Sequence, residues 1–407
     1  MSLARLVTGA VVAGAASLAL TGCGGSGGSS GSGGGSRAVI TATPAVGLFD
    51  QPRTVVVSHL RPGERITVDA RTARLNGTWT SSATFRAGRN GVVNLARSAP
   101  TSGSYRGASA LGLLWSERLQ TRGPPPSIHG AVTTLTVDAG GRPVGSARLT
   151  QLNPGPGVTV HATTLAADGF IGEYFRPPGA GRRPAVVVWG GSEGGLGGSP
   201  VEAALIASHG IPALAVAYFD QRGLPCKLQN IPLEYFARSI RWLRSQPQVD
   251  PHRLWILSGS RGTEAEMLVA TRWPALVHGV VAEAPGAYPN AAYHGTCAAT
   301  GSGPAWTVQG RAVSPGTAFG SGLRGPVMLI SGGDDAVWPS EFQADQVFSR
   351  LPHDGAAHVH LNYPAAGHIV LALPYFPYPP TGGGTQAADA AAHASDWPAM
   401  LRFIAGH

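Results

Sequence analysis

Over the first third of the chain apolar and polar positions alternate in short stretches, and then the alternation stops. Segments such as "RTVVVSHL", "RITVDAR" and "GVVNLA" are separated by turn-forming groups at Arg61-Pro62-Gly63, Asn76-Gly77 and Arg89-Asn90-Gly91. A period of two predicts half-buried antiparallel strands, and a β-sandwich is the economical way to pack them. "AVTTLTVDAGGRPVGSARLTQL" extends the pattern as a hairpin turning at Ala139-Gly140-Gly141, and "VTVHATTLAADGFIGEYFRPPG" supplies a further strand pair leading into the second domain.

Beyond "GAGRRP" the pattern changes. "AVVVWGG" is wholly apolar and ends in glycines, as a parallel strand buried on both faces would. "VEAALIASHG" reads as a helix stopped by Gly210. "LEYFARSIRWLRSQP" reads as another, with Leu233, Phe236, Ile240 and Leu243 on one face and Pro247 at its end. "IPALAVAYF", "LWILS", "HGVVAEAP", "PVMLIS" and "HVHLNYP" are further apolar strands. Strands alternating with helices predict a doubly wound, mostly parallel sheet whose chemistry sits at the carboxyl ends of its strands. The expected layout is a β-sandwich over 38–165 and an α/β domain over 166–407.

The chain's 407 residues, 43% of them apolar and 13% charged, are enough for two such cores. The start is different. Arg5, an apolar stretch from Leu6 to Leu20 and the ending "LTGC" predict an export signal over 1–22, too short for a comfortable membrane span. "LTGC" resembles the lipobox of bacterial lipoproteins, in which Cys23 would become the lipidated first residue. "GGSGGSSGSGGGSR" would then be a flexible tether over 23–37. The expected location is the outer face of a bacterial cell membrane, with the lipid on Cys23 as the anchor.

The formal charge is +8, but Lys227 is the only lysine and no basic cluster is interleaved with aromatics, which argues against nucleic acid as a partner. No CxxC, HExxH or His/Cys cluster suggests a metal. Cys226 and Cys297 remain once Cys23 is set aside; an exported location permits a disulfide between them, and two separate buried thiols are the alternative.

In "WILSGSRGTEAEMLVA" an apolar strand stops at small residues around Ser260 and a helix comes next. That is the setting of a nucleophile elbow, G-x-S-x-G, with Ser258 at the first position; a helix-capping serine is the plainer reading. A serine hydroxyl needs a histidine base oriented by a carboxylate. Asp334 and Asp335 come after the strand "PVMLIS", and His368 after "HVHLNYP", in the order serine, acid, histidine. His358 and His360 alternate within a strand as packing residues, and Asp250 lies at the wrong end of its strand. The oxyanion donors expected are the backbone N–H of Arg261 and of the glycine-rich loop around Ser192 and Glu193. Trp189, Tyr218, Phe219, Tyr288, Trp306 and Trp338 are candidates to line an acyl pocket or simply to pack. "YFPYPPTGGGTQ" reads as a lid or a plain loop.

With these motifs in view, the chain resembles the acyl-CoA thioesterase and bile acid-CoA:amino acid N-acyltransferase family. The matching stretches are "TWTSSATFRAGRNGVVNLARSAPTSGSYRGASALGLLWS", then "GGSEGGL", "ALAVAYF", "IPLEYFARSIRWL", "SGSRGTE", "SGGDDAVWPS" and "YPAAGHIV". The resemblance implies an immunoglobulin-like N-terminal domain joined to an α/β-hydrolase domain. It places the nucleophile on Ser260, the acid on Asp335 and the base on His368, with no cofactor. Amino-acid-conjugating members use a cysteine nucleophile, so serine leans towards hydrolysis of a fatty-acyl thioester. An extracytoplasmic esterase, amidase or acyltransferase shares every one of these residues, and a non-catalytic envelope scaffold is the reading from another class. Familiar members work where acyl-CoA is made, so an exported one sets the leaving group apart from the rest of the expectation.

Overall fold

Alternation in "RITVDARTAR" turns into a half-buried strand: over Arg65–Arg74 every second side chain is buried, Ile66, Val68 and Ala70 among them. The computed structural model describes residues 38–74, 77–122, 130–293, 297 and 303–407. The expected signal, Cys23 and the tether lie outside these. Arg65–Arg74 pairs antiparallel with both Gly77–Arg86 and Ala131–Ala139 inside a seven-stranded sheet. Val39–Thr43, Thr54–Ser58 and Val93–Asn94 form a second, three-stranded sheet. Val55 and Val57 of the small sheet share one core with Ile66, Val68, Phe85, Leu135 and Val137 of the large one. The predicted hairpin between Ala131–Ala139 and Arg142–Leu152 is present. Its two central residues, Gly140 and Gly141, have φ of 62° and 79°, the left-handed pair that matches strand twist, and Asp138 Oδ1 accepts the Gly141 N–H at 2.9 Å.

The apolar runs of the rest of the chain build an eight-stranded sheet. We number its strands β1 (Thr159–Thr163), β2 (Ile171–Arg176), β3 (Arg183–Trp189), β4 (Ala213–Ala217), β5 (Val249–Gly259), β6 (Gly279–Glu283), β7 (Val327–Gly332) and β8 (His358–Tyr363). Their order is β1-β2-β4-β3-β5-β6-β7-β8. β2 runs antiparallel to both its neighbours, and β3 to β8 are mutually parallel. This is the α/β-hydrolase strand order. One expected boundary moves: β1 already belongs to this sheet, so the change of sheet falls at 153–158 rather than at 165. An antiparallel pair alternates like the strands before it, so pattern alone does not mark the switch.

Helices α1 (Ser199–Ser208), α2 (Leu233–Arg244), α3 (Gly262–Arg272), α4 (Ser340–Phe348) and α5 (Gln386–Gly406) cover the two faces of the sheet. Val187 and Trp189 of β3 point to the face packed by Phe236 of α2, Met267 of α3 and Val347 of α4. Val186 and Val188 point to the other, packed by Leu205 of α1 and Trp397 and Met400 of α5. Each such aliphatic or aromatic side chain contributes about 1.5–3 kcal/mol by leaving water. With both faces covered, only the strand ends and the loops leaving them remain open for chemistry.

Candidate active site

Ser260 sits between the end of β5 and the start of α3 with φ of 52°, a left-handed conformation uncommon for a residue with a Cβ. The turn is held by the Ser260 N–H donating to Glu283 O at 2.9 Å and by Thr263 donating its N–H and Oγ1 to Ser260 O at 3.0 and 2.6 Å. Its sharpness explains the glycines around it. A Cβ on Gly262 would stand 2.2 Å from Gly190 O, and one on Gly191 would stand 2.8 Å from Ser260 Cβ. Ser258, which fills the first position of the elbow, is buried and donates its hydroxyl to the Glu266 carboxyl. A buried hydroxyl there is tolerated because it finds an acceptor.

The structure brings the three expected residues together. His368 Nε2 lies 2.9 Å from Ser260 Oγ, and His368 Nδ1 lies 2.8 Å from Asp335 Oδ2. Asp335 Oδ1 accepts the N–H groups of Val337 and Trp338 at 2.9 and 3.2 Å. Burial pushes the Asp335 carboxyl up, but its bonds from His368, Ser340 and Val337 outweigh that and hold it below the usual carboxylate range. Asp334 is exposed and contributes only backbone, its N–H donating to Ala366 O at 3.0 Å. The choice between the two aspartates is thus made by which side chain turns inward.

The loop carrying His368 is gripped from α5. Asp389 Oδ1 accepts the Gly367 N–H at 2.8 Å, and His393 Nε2 bonds Ile369 O at 2.8 Å, so two residues four apart on one helix face hold the residues on either side of the histidine. His393 is buried, and burial pushes it down to about 4. The glycines of "YFPYPPTGGGTQ" are a spacer and not a lid. Gly382 O accepts from both Ala336 N–H (3.0 Å) and His368 N–H (2.9 Å), and Gly384 N–H donates to Asp334 O (3.1 Å), which ties the acid loop to the base loop. A Cβ on Gly383 would lie 2.0 Å from Asp334 O.

A chamber of about 730 Å³ opens beside the triad, with Ser260, His368, Leu257, Leu371, Phe219 and Tyr378 on its wall. Ser192 and Glu193 also line it. Among the described residues the N–H groups of Ser192 and Arg261 have no hydrogen-bond partner. The Glu193 side chain has a structural part of its own: its carboxylate turns back to accept the Gly191 N–H at 3.0 and 2.9 Å. Tyr218 braces the same loop by donating to Gly191 O at 2.7 Å, and burial pushes its hydroxyl well up. Trp189 and Phe219 line the chamber, Trp338 meets the His368 ring edge-on at 5.8 Å, and Tyr288 is exposed. Trp306 is packing: it is fully buried and donates to Glu264 at 2.7 Å. His358 bonds Pro352 O and His360 bonds Ser331, both away from the site as their alternation suggested. No group of three or more His, Cys, Asp and Glu among the described residues is arranged to hold a metal ion.

Two family models match the chain: "Acyl-CoA thioester hydrolase/BAAT N-terminal region" over residues 50–162 and "BAAT / Acyl-CoA thioester hydrolase C terminal" over 231–299 and 319–407. The chain belongs to the acyl-CoA thioester hydrolase/BAAT family. Similar relatives include mouse mitochondrial acyl-coenzyme A thioesterase 2, 26% identical over 88% of this chain and 86% of the relative. Mouse acyl-coenzyme A amino acid N-acyltransferase 1 is 26% identical over 90% and 97%, and human bile acid-CoA:amino acid N-acyltransferase is 27% identical over 90% and 97%. A solved dienelactone hydrolase-like phosphotriesterase from metagenomic libraries overlays 61% of this chain and 98% of its own at TM-score 0.42 and 19% identity.

In this member of the thioester hydrolase/BAAT family, Cys226 and Cys297 form a disulfide, their Cα atoms 6.1 Å apart. Cys226 and Tyr293 both line the chamber, and the backbone of Tyr293 pairs with that of Leu228 at 3.1 and 3.0 Å. The bond therefore ties two loops together at the chamber's edge. Sequence reasoning missed four residues near the site. Asp389 and His393 lie on a helix that the apolar pattern does not reveal, and Glu202 and Glu283 line the chamber from α1 and from the end of β6. Only the capping threonine ahead of the alanine-rich run, Thr385, could have flagged that helix.

Proposed function

We propose that the protein is a serine-dependent acyl thioester hydrolase. The reading is carried by one observation, the chain of short contacts from Ser260 Oγ through the His368 ring to Asp335 on the wall of a chamber large enough for an acyl group. His368 Nε2 takes the Ser260 proton as Oγ bonds to the acyl carbonyl carbon, and Asp335 steadies the resulting imidazolium. The backbone N–H groups of Arg261 and of the loop at Ser192 and Glu193 would hold the oxyanion. Collapse of the tetrahedral adduct breaks the C–S bond. The thiol departs with the proton from His368, leaving an acyl ester on Ser260. His368 then takes a proton from water as its oxygen attacks that ester, and the acid product leaves with Ser260 reprotonated. The left-handed turn supports the role, since strain of this kind keeps Oγ clear of both strand and helix.

The disulfide supports an exported location, in which "LTGC" would carry the lipid on Cys23 and anchor the chain to the outer face of a bacterial membrane. The test uses the chain from Gly24 onward, with matched acyl-CoA thioesters and oxygen esters of increasing chain length and Ser260→Ala in parallel. Thioester turnover above ester turnover, reduced about 10⁴-fold or more by the substitution, is the expected result. Ester turnover that dominates and needs Ser260 would make the protein an envelope esterase. Undiminished turnover in Ser260→Ala would overturn the serine mechanism.

A further inference from the structure

A second crease lies at the end of the eight-stranded sheet away from the triad. It opens between the strands β1 and β2 and the end of α2, holds about 420 Å³, and has His161, Tyr174, Arg176, Trp242 and Gln248 on its wall. Register puts them there. Across the β1–β2 pair His161 stands opposite Tyr174 and Thr159 opposite Arg176, and residues two apart share a face of the sheet. Gln248 immediately precedes β5, whose other end delivers Ser260, so about 30 Å of strand separates the crease from the nucleophile.

The wall carries polar groups that the fold leaves unused. Tyr174 is only 5% exposed, yet its hydroxyl has no hydrogen-bond partner among the described residues, and the amide oxygen of Gln248 has none either. A buried polar group left in this way costs stability that a bound partner restores. Burial pushes the Tyr174 hydroxyl up while the Arg176 guanidinium acts against that, so the phenol stays protonated, as a donor, beside a cation. Arg176 is exposed. Its Nε donates to Thr159 Oγ1 at 3.3 Å, which steadies the head, and its two Nη groups have no partner among the described residues. No carboxylate lines the crease. Asp168, which touches Trp242, is already engaged by Trp242 Nε1 at 3.0 Å and by the Thr164 N–H at 2.9 Å. The rest of the wall is aromatic: Trp242 meets Tyr174 edge-on at 5.5 Å, and its plane lies 7° from that of His161 with the centroids 6.0 Å apart. Flat ring faces beside an arginine and a phenol donor suit a planar body that carries an anion.

We propose that this crease is a ligand site for an aromatic carboxylate, its ring laid against Trp242 and His161 and its carboxylate held by the Nη groups of Arg176 and the Tyr174 hydroxyl. Gln248 accepts from an N–H or hydroxyl on the ring. The site is separate from the chamber of the triad and stands independently of the thioesterase reading. It selects acid over amide, because a neutral isostere cannot pair with the guanidinium.

Calorimetry with indole-3-acetate and its neutral isostere indole-3-acetamide tests this on the chain from Gly24 onward. The acid is expected to bind about tenfold more tightly than the amide or better. Arg176→Gln, which alters an exposed side chain, is expected to remove that preference. Tyr174→Phe, which keeps the ring and takes away only the hydroxyl, is expected to weaken the acid severalfold, with near-UV circular dichroism unchanged in both variants. Capping Ser260 with a fluorophosphonate is expected to leave the binding intact. Binding that survives both substitutions but is lost on capping Ser260 seats the ligand in the chamber of the triad and overturns the proposal. Equal affinity for acid and amide overturns it as well, as does the absence of binding at millimolar concentration.

Discussion

Two adjacent aspartates of the same chemistry, Asp334 and Asp335, differ at the residue scale only in where the turn sends their side chains. Asp335 is fixed by His368, by Ser340 and by the N–H groups of Val337 and Trp338, whereas Asp334 faces solvent. Asp335→Asn is therefore expected to lower kcat by about 10⁴-fold, because the amide no longer holds the tautomer that leaves Nε2 free to accept a proton. Asp334→Asn keeps the backbone bonds and is expected to leave kcat unchanged; steady-state kinetics on the two variants checks both. The sequence alone presented the pair as alternatives, since facing is set by the backbone between β7 and α4 and not by composition. Ser260 was readable because a strand, a small-residue turn and a helix are local features. Glu202 and Glu283 were not, because a single glutamate on a helix or strand end carries no mark of the cavity that long-range packing makes around it.

Elements differ in legibility for a related reason. The strands of the parallel sheet announced themselves as apolar runs bounded by glycine and proline, and α2 by its one-sided apolar face. The helix that positions the base did not. α5 is alanine-rich over its first half, carries its large apolar residues only from Trp397 onward and contains Pro398, so the turns that hold Asp389 and His393 show no apolar face. Its packing explains this: one side meets the sheet through Trp397 and Met400, and Ala390 reaches the core of the β-rich part. The grip of Asp389 and His393 on the His368 loop has a measurable sign. His393 falls from 6.5 to about 4 on folding, because burial disfavours the cation, so the unfolded chain binds the extra proton between those values. Stability from this group is full above about 6.5 and lost as pH falls towards 4, by at most about 3 kcal/mol. Glu117 and Glu202, each pushed up to about 7 chiefly by burial, act in the opposite direction between about 4.5 and 7. The difference between wild type and His393→Gln isolates the histidine. In urea titrations from pH 7 to pH 4 the variant is expected to lose less stability than wild type, and equal losses would show that His393 does not carry this proton.

At the scale of the whole molecule, every triad residue lies in a loop leaving the eight-stranded sheet, yet the β-rich part is tied into the machinery that positions them. Gln386 at the start of α5 donates to Trp115 O at 2.8 Å, and Arg74, paired with buried Glu117 at 2.8 Å, lies 5.5 Å over the Phe376 ring in the segment leading to that helix. Asp50 Oδ2 takes both His209 at the end of α1 (2.6 Å) and Trp397 of α5 (3.1 Å). These contacts tie α5 and the segment before it to the β-rich part, and α5 in turn fixes the loop of His368. Removing residues 38–152 would uncover one face of α5 while leaving Ser260, Asp335 and His368 in the chain. Such a truncated protein is expected to misfold, or to keep the sheet and lose kcat by a hundredfold or more, as near-UV circular dichroism and turnover together would show. Wild-type kcat from the truncated chain would mean that the sheet alone holds the base. Asp50→Ala makes the same point without truncation. It leaves the Trp397 N–H without its acceptor, at a cost of about 1–3 kcal/mol. A lowered melting temperature accompanied by a fall in kcat at unchanged KM is expected, because the helix that loosens is the one holding the general base and not one that binds substrate.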